Sequence, residues 1–179
     1  MSFGPPPAAG VRPDGTFTLT RLLDATVLRL IEVRPPWYVK AVRYKGADVT
    51  DVPTEFTDLA DPKQLEVVVA SRGARLRVRV SNGQGEPAEG LVLLFAADPR
   101  LRHQASTMSR GDGIGRDGTA TLEGLRPGTY LAVAFDPRVT AAGRQGQELF
   151  EHLAPFATRV ELLENDSREI SLTIVTTSQ

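Results

Sequence analysis

The sequence predicts an all-β protein built from β-sandwiches, and three observations carry this prediction. Apolar and polar residues alternate along several runs, as they do in antiparallel strands with one buried face. Turn residues such as Pro127-Gly128 separate these runs. One segment occurs twice, starting at Asp14 and again at Asp117, and this self-similarity indicates tandem copies of one fold.

Four runs alternate between apolar and polar residues, and each is predicted to be a strand with one face in the core. In chain order they are residues 15–22 (GTFTLTRL), residues 63–70 (KQLEVVVA), residues 74–80 (ARLRVRV) and residues 168–175 (REISLTIV). The third run places Arg75, Arg77 and Arg79 on its polar face. We expect these arginines to be solvated, although such a stripe could also meet an anionic partner.

Two other runs are apolar at consecutive positions, which favours central strands that are buried on both faces. They are residues 90–98 (GLVLLFAAD) and residues 129–136 (TYLAVAFD). Residues 146–154 (GQELFEHLA) have helical spacing instead, because Leu149, Phe150 and Leu153 form a short apolar stripe. The sequence therefore predicts strands throughout and one short helix.

The glycine-rich stretch RGDGIGRDG, residues 110–118, contains an RGD tripeptide and a G-x-G-x-x-G pattern. A dinucleotide-binding loop needs a helix after its glycines, whereas the following TATLEGL alternates as a strand. The two aspartates provide too few oxygen ligands for a calcium loop, and the RGD match is explained by chance. We predict a mobile lead-in loop at Arg110–Arg116 and then a turn at Asp117-Gly118.

The internal repeat divides the chain. DGTFTLTRLLDATVL from Asp14 aligns without gaps to DGTATLEGLRPGTYL from Asp117. Two predicted strands precede the second copy, whereas a Pro- and Gly-rich lead-in precedes the first. We therefore expect a partial sandwich at residues 1–71, which lacks its first strands, and a complete sandwich at residues 72–179. This incompleteness predicts that the chain is a fragment of a longer multidomain protein or the product of a truncated gene model.

The second copy resembles the bacterial carboxypeptidase regulatory-like domain through VSNGQGEPAEGLVLLF and RDGTATLEGLRPGTYLAVAFD. Asn82 replaces the aspartate of that pattern and Ala120 replaces its aromatic residue, while the first copy keeps the aromatic residue as Phe17. The resemblance implies tandem immunoglobulin-like or transthyretin-like β-sandwiches of the carbohydrate-binding-like fold group. It also implies a place in a large secreted or surface protein of bacteria, and it is specific for fold rather than for chemistry.

Composition narrows the classes of function. The formal net charge of −1 gives no global electrostatic case for nucleic acid or an anionic membrane. No apolar run is long enough for membrane insertion, and the absence of cysteine excludes disulfides and thiolate metal sites. The first residues do not form a signal peptide. With the resemblance, we expect a periplasmic, cell-surface or secreted location as part of a longer chain.

No catalytic constellation is visible in the sequence. The histidines are His103 and His152, and neither begins the H-x-x-E pair of a zinc carboxypeptidase. Glu148 and His152 could share a helix face, but a zinc site needs three or four protein ligands. There is also no G-x-S-x-G nucleophile elbow. We expect no catalytic residue, no metal and no cofactor.

Three aromatic residues are the candidate ligand-binding residues. They are Trp37, Tyr38 and Tyr44 in PPWYVKAVRY. On a regular strand Tyr38, Val42 and Tyr44 would share one face, and Trp37 would lie on the other. An exposed Trp37 would favour ligand binding, whereas packing at a domain junction is the usual role of large aromatic side chains.

The sequence leaves two functions open. The favoured one is a non-enzymatic accessory or structural module, acting as a spacer or protein-interaction domain beside other domains of its parent protein. The alternative is a carbohydrate-binding module that anchors an absent catalytic or outer-membrane part to polysaccharide. The expected partners are therefore other domains and possible polysaccharide or protein ligands, and not nucleic acid.

Overall fold

The computed structural model describes residues 10–19, 24–57, 64–103, 105–136 and 146–176. The described part contains ten strands and one α-helix, which confirms the all-β prediction. The strands are β1 Tyr38–Tyr44, β2 Ala47–Asp48, β3 Leu65–Ala70, β4 Ala74–Ser81, β5 Gly90–Ala96, β6 Arg110–Ile114, β7 Thr119–Leu125, β8 Gly128–Phe135, β9 Thr158–Leu162 and β10 Ser167–Thr173. The helix, α1, is Gly146–Leu153, and no described helix is of a length and apolarity to cross a bilayer.

Strands β4 to β10 form a two-sheet sandwich, which we call the sandwich. One sheet has the order β10-β4-β7 and the other has the order β6-β5-β8-β9. The first and last strands of the sandwich, β4 and β10, lie side by side in parallel, while the remaining pairs are antiparallel. A single apolar core fills the space between the sheets and takes side chains from every one of these strands.

Strand β4 has one face in the core and the other in solvent, as its alternating residues predict. Leu76 and Val78 are fully buried, and the arginines that alternate with them, Arg75, Arg77 and Arg79, are exposed. Each fully buried side chain of this size stabilises the fold by roughly 1.5–3 kcal/mol. The predicted strand at residues 168–175 is observed as β10. The predicted strand at residues 63–70 is observed as β3, but Val69 on its predicted core face is 41% exposed.

Strands β5 and β8 have buried side chains on both faces, as their continuous apolar runs predict, except at Leu91 near the start of β5, which is 36% exposed. One face of each meets the core between the sheets, and the other meets α1 through a second apolar cluster. In that cluster Phe150 and Leu153 of the helix pack beside Phe95 of β5. The helix therefore covers the outer face of the four-stranded sheet, which explains why these two strands have no polar side.

The predicted loop at Arg110–Arg116 is wrong, because Arg110–Ile114 forms β6. This strand pairs with β5 from Gly90↔Ile114 to Leu94↔Arg110, at the edge of the four-stranded sheet. Its Gly and Asp residues have low strand propensity, and the local sequence gives no alternation to recognise. The edge position tolerates such residues because the pairing uses backbone groups and the side chains face solvent.

The three remaining strands form a separate sheet with the order β2-β1-β3, which we call the N-terminal sheet. The predicted regular alternation of β1 is wrong, because the register with β3 shifts between Val39 and Ala41. This bulge leaves Lys40 exposed and buries both of its neighbours. A bulge of this kind changes which face a side chain occupies, so period-two reasoning fails beyond it.

The first copy of the repeat differs from its prediction. In the described part of residues 15–22, Gly15 to Leu19, no strand forms; the rest of that run lies outside the described residues. The turn before it is ordered by its own hydrogen bonds, with Arg12 N–H donating to the Thr16 carbonyl at 2.8 Å. Further along, Thr26 makes an isolated antiparallel bridge with Thr54.

Candidate functional site: the junction of the two units

The N-terminal sheet joins the sandwich through residues 71–73, the connection between β3 and β4. This connection is hydrogen-bonded on both sides: Gly73 N–H donates to the Pro36 carbonyl at 2.8 Å, and Asn165 N–H donates to the Arg72 carbonyl at 2.8 Å. A Cβ atom on Gly73 would lie 2.5 Å from the Pro36 oxygen and 2.8 Å from Gly124 Cα. The domain boundary predicted at residue 71 therefore falls in a closely packed connection.

A buried carboxylate forms the second link across the junction. Asp51 follows β2, and its side chain is 1% exposed. Its carboxylate accepts hydrogen bonds from Thr107 N–H at 2.5 Å and from the Thr107 hydroxyl at 2.7 Å, and it pairs with Arg126 Nη1 at 3.4 Å. The same guanidinium nitrogen donates to Thr107 Oγ1 at 3.1 Å. A buried charge is costly unless it is paired and hydrogen-bonded, and here both conditions are met.

Two further side chains add to this link. His103 Nε2 lies 3.0 Å from the Asp51 carbonyl oxygen, which can only accept, so this nitrogen carries the proton. On the other side of the junction the Tyr38 hydroxyl donates to Glu164 Oε1 at 3.3 Å. Burial raises the pKa of Tyr38 above its ordinary value, and the negative charge of Glu164 raises it further.

The sandwich side of the junction is held by a tyrosine corner. Tyr130 is 1% exposed, and its hydroxyl donates to the Arg126 carbonyl four residues earlier, at 2.5 Å. A tyrosine that hydrogen-bonds back to the preceding turn is a recurring feature of immunoglobulin-like sandwiches. Burial raises the pKa of this hydroxyl well above the ordinary range of tyrosine. The corner fixes the backbone of Arg126, the residue that pairs with Asp51.

An open cleft of about 80 Å³ lies at this junction. Leu125, Met108 and Tyr130 provide its buried apolar part. Three arginines and a tryptophan also line it, together with Glu123, whose carboxylate pairs with Arg75. The arginines are Arg29, Arg110 and Arg126, and the tryptophan is Trp37. The cleft is therefore basic and partly aromatic, with an apolar base.

The three predicted ligand-binding residues have different surroundings. Trp37 is 47% exposed and lines the cleft. Tyr38 also lines the cleft but is buried, with its hydroxyl held by Glu164. Tyr44 is buried in the N-terminal sheet, where it packs edge-to-face on Phe56 and donates its hydroxyl to the Thr57 carbonyl. Of the three, Trp37 has the ring that a ligand can reach.

The arginine stripe on β4 is paired with acidic side chains of neighbouring strands. Arg75 pairs with Glu123 of β7. Arg79 pairs with Glu169 of β10, and Arg77 lies 3.9 Å from the same carboxylate. Exposed pairs of this kind contribute at most about 1 kcal/mol each, so they describe a solvated sheet face. Among the described residues, no group of three or more His, Cys, Asp or Glu side chains is placed to hold a metal.

Sequence reasoning missed the residues that join the two units. Asp51, Thr107 and Arg126 are far apart in the sequence, in three different loops. Asp51 and Thr107 belong to no motif and are common loop residues by type, while Arg126 lies within RDGTATLEGLRPGTYLAVAFD but is not one of the residues that carry the resemblance. The signal that identifies them is burial of a carboxylate against a threonine and an arginine, which exists only after folding.

The fold defines the class of protein as all-β, with a two-sheet sandwich preceded by a smaller sheet. No protein-family model matches the chain. Among solved structures the chain is similar to a group B streptococcus pilus 2b backbone protein, with 14% sequence identity and a TM-score of 0.35. The similarity covers 69% of this chain and 48% of that chain, so the chain spans about half the length of that protein.

Proposed function

We propose that this protein is a non-enzymatic structural module that holds two β-units in one fixed relative orientation. The observation that carries this proposal is the buried Asp51 carboxylate, which is bound by Thr107 and Arg126 of the sandwich. Such a module acts as a stiff spacer in a longer extracytoplasmic bacterial protein and presents loops at its ends to partner domains. No chemical group needs activation for this role, and no cofactor is required.

Stiffness follows from the number of independent links across the junction. Flexible linkers are rich in Gly and Ser and behave as random coils, whereas residues 71–73 are hydrogen-bonded to both units. The loop that carries Thr107 is itself ordered, because Ser106 N–H donates to the His103 carbonyl at 3.0 Å. Reorienting the units would expose the Asp51 carboxylate and break three hydrogen bonds, each contributing about 0.5–3 kcal/mol.

Spin-label distance measurements test this proposal directly, and the absence of native cysteine makes the chain suited to them. One label goes on β3 by Glu66→Cys and the other on β9 by Glu161→Cys, both exposed positions. We expect a single narrow distance distribution by double electron–electron resonance. A control pair within the sandwich, Arg77→Cys with Glu161→Cys, gives the width that the labels themselves contribute.

The junction variant is Asp51→Ala, which removes the buried carboxylate. We expect it to broaden the distribution of the cross-junction pair, leave the control pair unchanged, and lower the free energy of unfolding by about 1–3 kcal/mol. Thr107→Val is the milder variant, since it removes the hydroxyl and keeps the backbone donor. A cross-junction distribution that is already broad in the unsubstituted protein would contradict the spacer role.

A second candidate function is glycan binding at the junction cleft. The observation that favours it is Trp37, which lines the cleft and leaves 47% of its surface exposed. Large aromatic side chains usually bury most of their area, so an exposed indole beside polar groups is a typical ligand platform. Titration with neutral and acidic oligosaccharides, followed by the fluorescence of this single tryptophan, tests the candidate.

A further inference from the structure

We propose that the junction cleft binds an acidic sugar residue, a uronic acid presented by an anionic polysaccharide. This inference rests on the second candidate function, glycan binding, and is independent of the spacer role. Three properties of the cleft carry it: its charge, its exposed indole and its size. Each property restricts the ligand in a different way.

The charge of the cleft favours a carboxylate. Arg29, Arg110 and Arg126 line it together with Glu123, and of these arginines Arg126 is already paired with the buried Asp51 carboxylate. The Glu123 carboxylate accepts a hydrogen bond from the Arg75 guanidinium, and its negative charge is therefore already compensated. Within the described part of the chain, the exposed Arg110 side chain makes no ion pair. A guanidinium binds a carboxylate through two parallel hydrogen bonds, which makes arginine the residue suited to this recognition.

The indole of Trp37 favours a ligand with a flat apolar face. A pyranose ring has such a face, formed by its C–H groups, and a uronic acid carries its carboxylate on the same ring. Arg110 and Trp37 line one cleft, and a uronic acid offers a ring face for the indole and a carboxylate for the guanidinium within one residue. An acidic peptide would place its carboxylates on flexible side chains that have no such face, and the indole therefore favours the sugar.

The size of the cleft favours a polymer over an enclosed small molecule. Pockets that bury most of a drug-sized ligand measure roughly 300–1,000 Å³. The cleft measures about 80 Å³ and is open to solvent. It therefore accommodates one residue in part, while the neighbouring residues of a chain remain outside. Binding to a single such site is expected to be weak, and repeated sites along a polymer would raise the overall affinity.

The test compares three probes of equal length: a trigalacturonate, a neutral galactose trisaccharide and a tri-glutamate peptide. Fluorescence of Trp37, the single tryptophan, reports contact at the cleft directly. We expect trigalacturonate to shift this fluorescence and to bind about tenfold or more tightly than the other two probes. Raising the salt concentration is expected to weaken its binding, because part of the attraction is between opposite charges.

Matched variants locate the site by isothermal titration calorimetry. Trp37→Ala and Arg110→Ala are each expected to weaken trigalacturonate binding about tenfold or more. The controls are Phe156→Ala, which removes another aromatic side chain that is 54% exposed, and Arg159→Ala on β9. Both controls are expected to leave the affinity unchanged. All four residues are exposed, so near-native thermal unfolding is expected and will verify that each variant is folded.

The outcomes separate this inference from the function on which it rests. Equal binding of the neutral and acidic trisaccharides at the cleft overturns the acidic preference and leaves glycan binding in place. No binding of either trisaccharide overturns both. Tri-glutamate binding as tight as that of trigalacturonate, or trigalacturonate binding unaffected by Trp37→Ala, shows general attraction of anions and also overturns the inference.

Discussion

Two turns in this chain have the same sequence signal and nearly the same hydrogen bonds, yet different structures follow them. The turns are Arg12–Thr16 and Gly115–Thr119, and in each the first N–H donates to the last carbonyl, at 2.8 and 2.9 Å. In each turn the aspartate side chain also accepts a hydrogen bond from the threonine N–H, at 3.0 Å for Asp14 and 3.1 Å for Asp117. The second turn begins β7, whereas residues 16–19 after the first turn form no strand.

The difference lies in the neighbour of each turn. Val80 of β4 donates its N–H to the Gly118 carbonyl at 2.7 Å, and this contact brings the chain into the sheet at the point where β7 begins. A Cβ atom on Gly118 would lie 2.5 Å from the Val80 oxygen, whereas one on Gly15 would meet nothing within 4 Å. Local sequence therefore determines the turn, and a partner strand determines whether the following residues extend.

Substituting the two turn glycines gives the largest expected contrast. Both have positive φ, +81° for Gly15 and +71° for Gly118, so alanine is strained at either position. Gly118→Ala also overlaps the backbone of β4, and we expect it to lower the free energy of unfolding by roughly 2–4 kcal/mol. Gly15→Ala is expected to lower it by about 1 kcal/mol or less. Urea denaturation measures both, and equal losses would contradict the role assigned to β4.

Removing the tyrosine corner gives an intermediate effect. The repeat places Tyr130 where the first copy has Val27, so the corner belongs to the second copy. Tyr130→Phe leaves the Arg126 carbonyl without its donor, and we expect a loss of about 1–3 kcal/mol in the free energy of unfolding. Tyr44→Phe is the control, because it removes a hydroxyl-to-carbonyl bond in the N-terminal sheet. If Tyr44→Phe lowers the free energy of unfolding more than Tyr130→Phe does, the tyrosine corner is not the more stabilising of the two hydrogen bonds.

The two turn aspartates give the smallest expected effect and the sharpest comparison. The Thr119 hydroxyl, and then its N–H, lower the pKa of Asp117 below 3.8, its ordinary value. The Thr16 N–H, and then its hydroxyl, lower the pKa of Asp14 in the same way. Both folded-state pKa values lie below the unfolded-state value. Each ionised aspartate therefore stabilises the folded protein at pH values above the unfolded-state pKa. This stabilisation is lost as pH falls through the lowered pKa.

Titration of the side-chain carboxyl carbons by NMR measures both values. Thr119→Val and Thr16→Val are each expected to raise the pKa of the aspartate in the same turn and leave the other unchanged. An unperturbed pKa at Asp14 would show that the first turn does not form without a neighbouring strand. The comparison between the two turns would then no longer hold.

Much of the sandwich was predictable from residue patterns. The alternation of β4 and the continuous apolar runs of β5 and β8 each match the observed burial, because side-chain period follows directly from backbone geometry. The edge strand β6 was missed because its pairing depends on β5 and not on its own residues. The bulge at Lys40 was missed because it arises from register with β3, which period-two reasoning cannot include.

The candidate site was predictable only in part. The resemblance to the carbohydrate-binding-like fold group identifies Trp37 as the aromatic residue to examine. It does not show that this indole shares a cleft with three arginines, because those arginines come from distant segments. The resemblance to carboxypeptidase regulatory-like domains predicted sandwiches, and the two-sheet sandwich is observed.

By itself, the sequence determined the alternating strands β4 and β10, the turns at Asp14 and Asp117, and the short helix α1, because each depends on neighbours within a few residues. Tertiary structure alone decided which turn continues as a strand, how the two units meet, and where a buried carboxylate is tolerated. Those outcomes depend on pairing partners and on desolvation, which arise when distant segments pack together. Asp51 shows the distinction most clearly: the sequence gives no reason to expect it buried, and Thr107 and Arg126 make its burial possible.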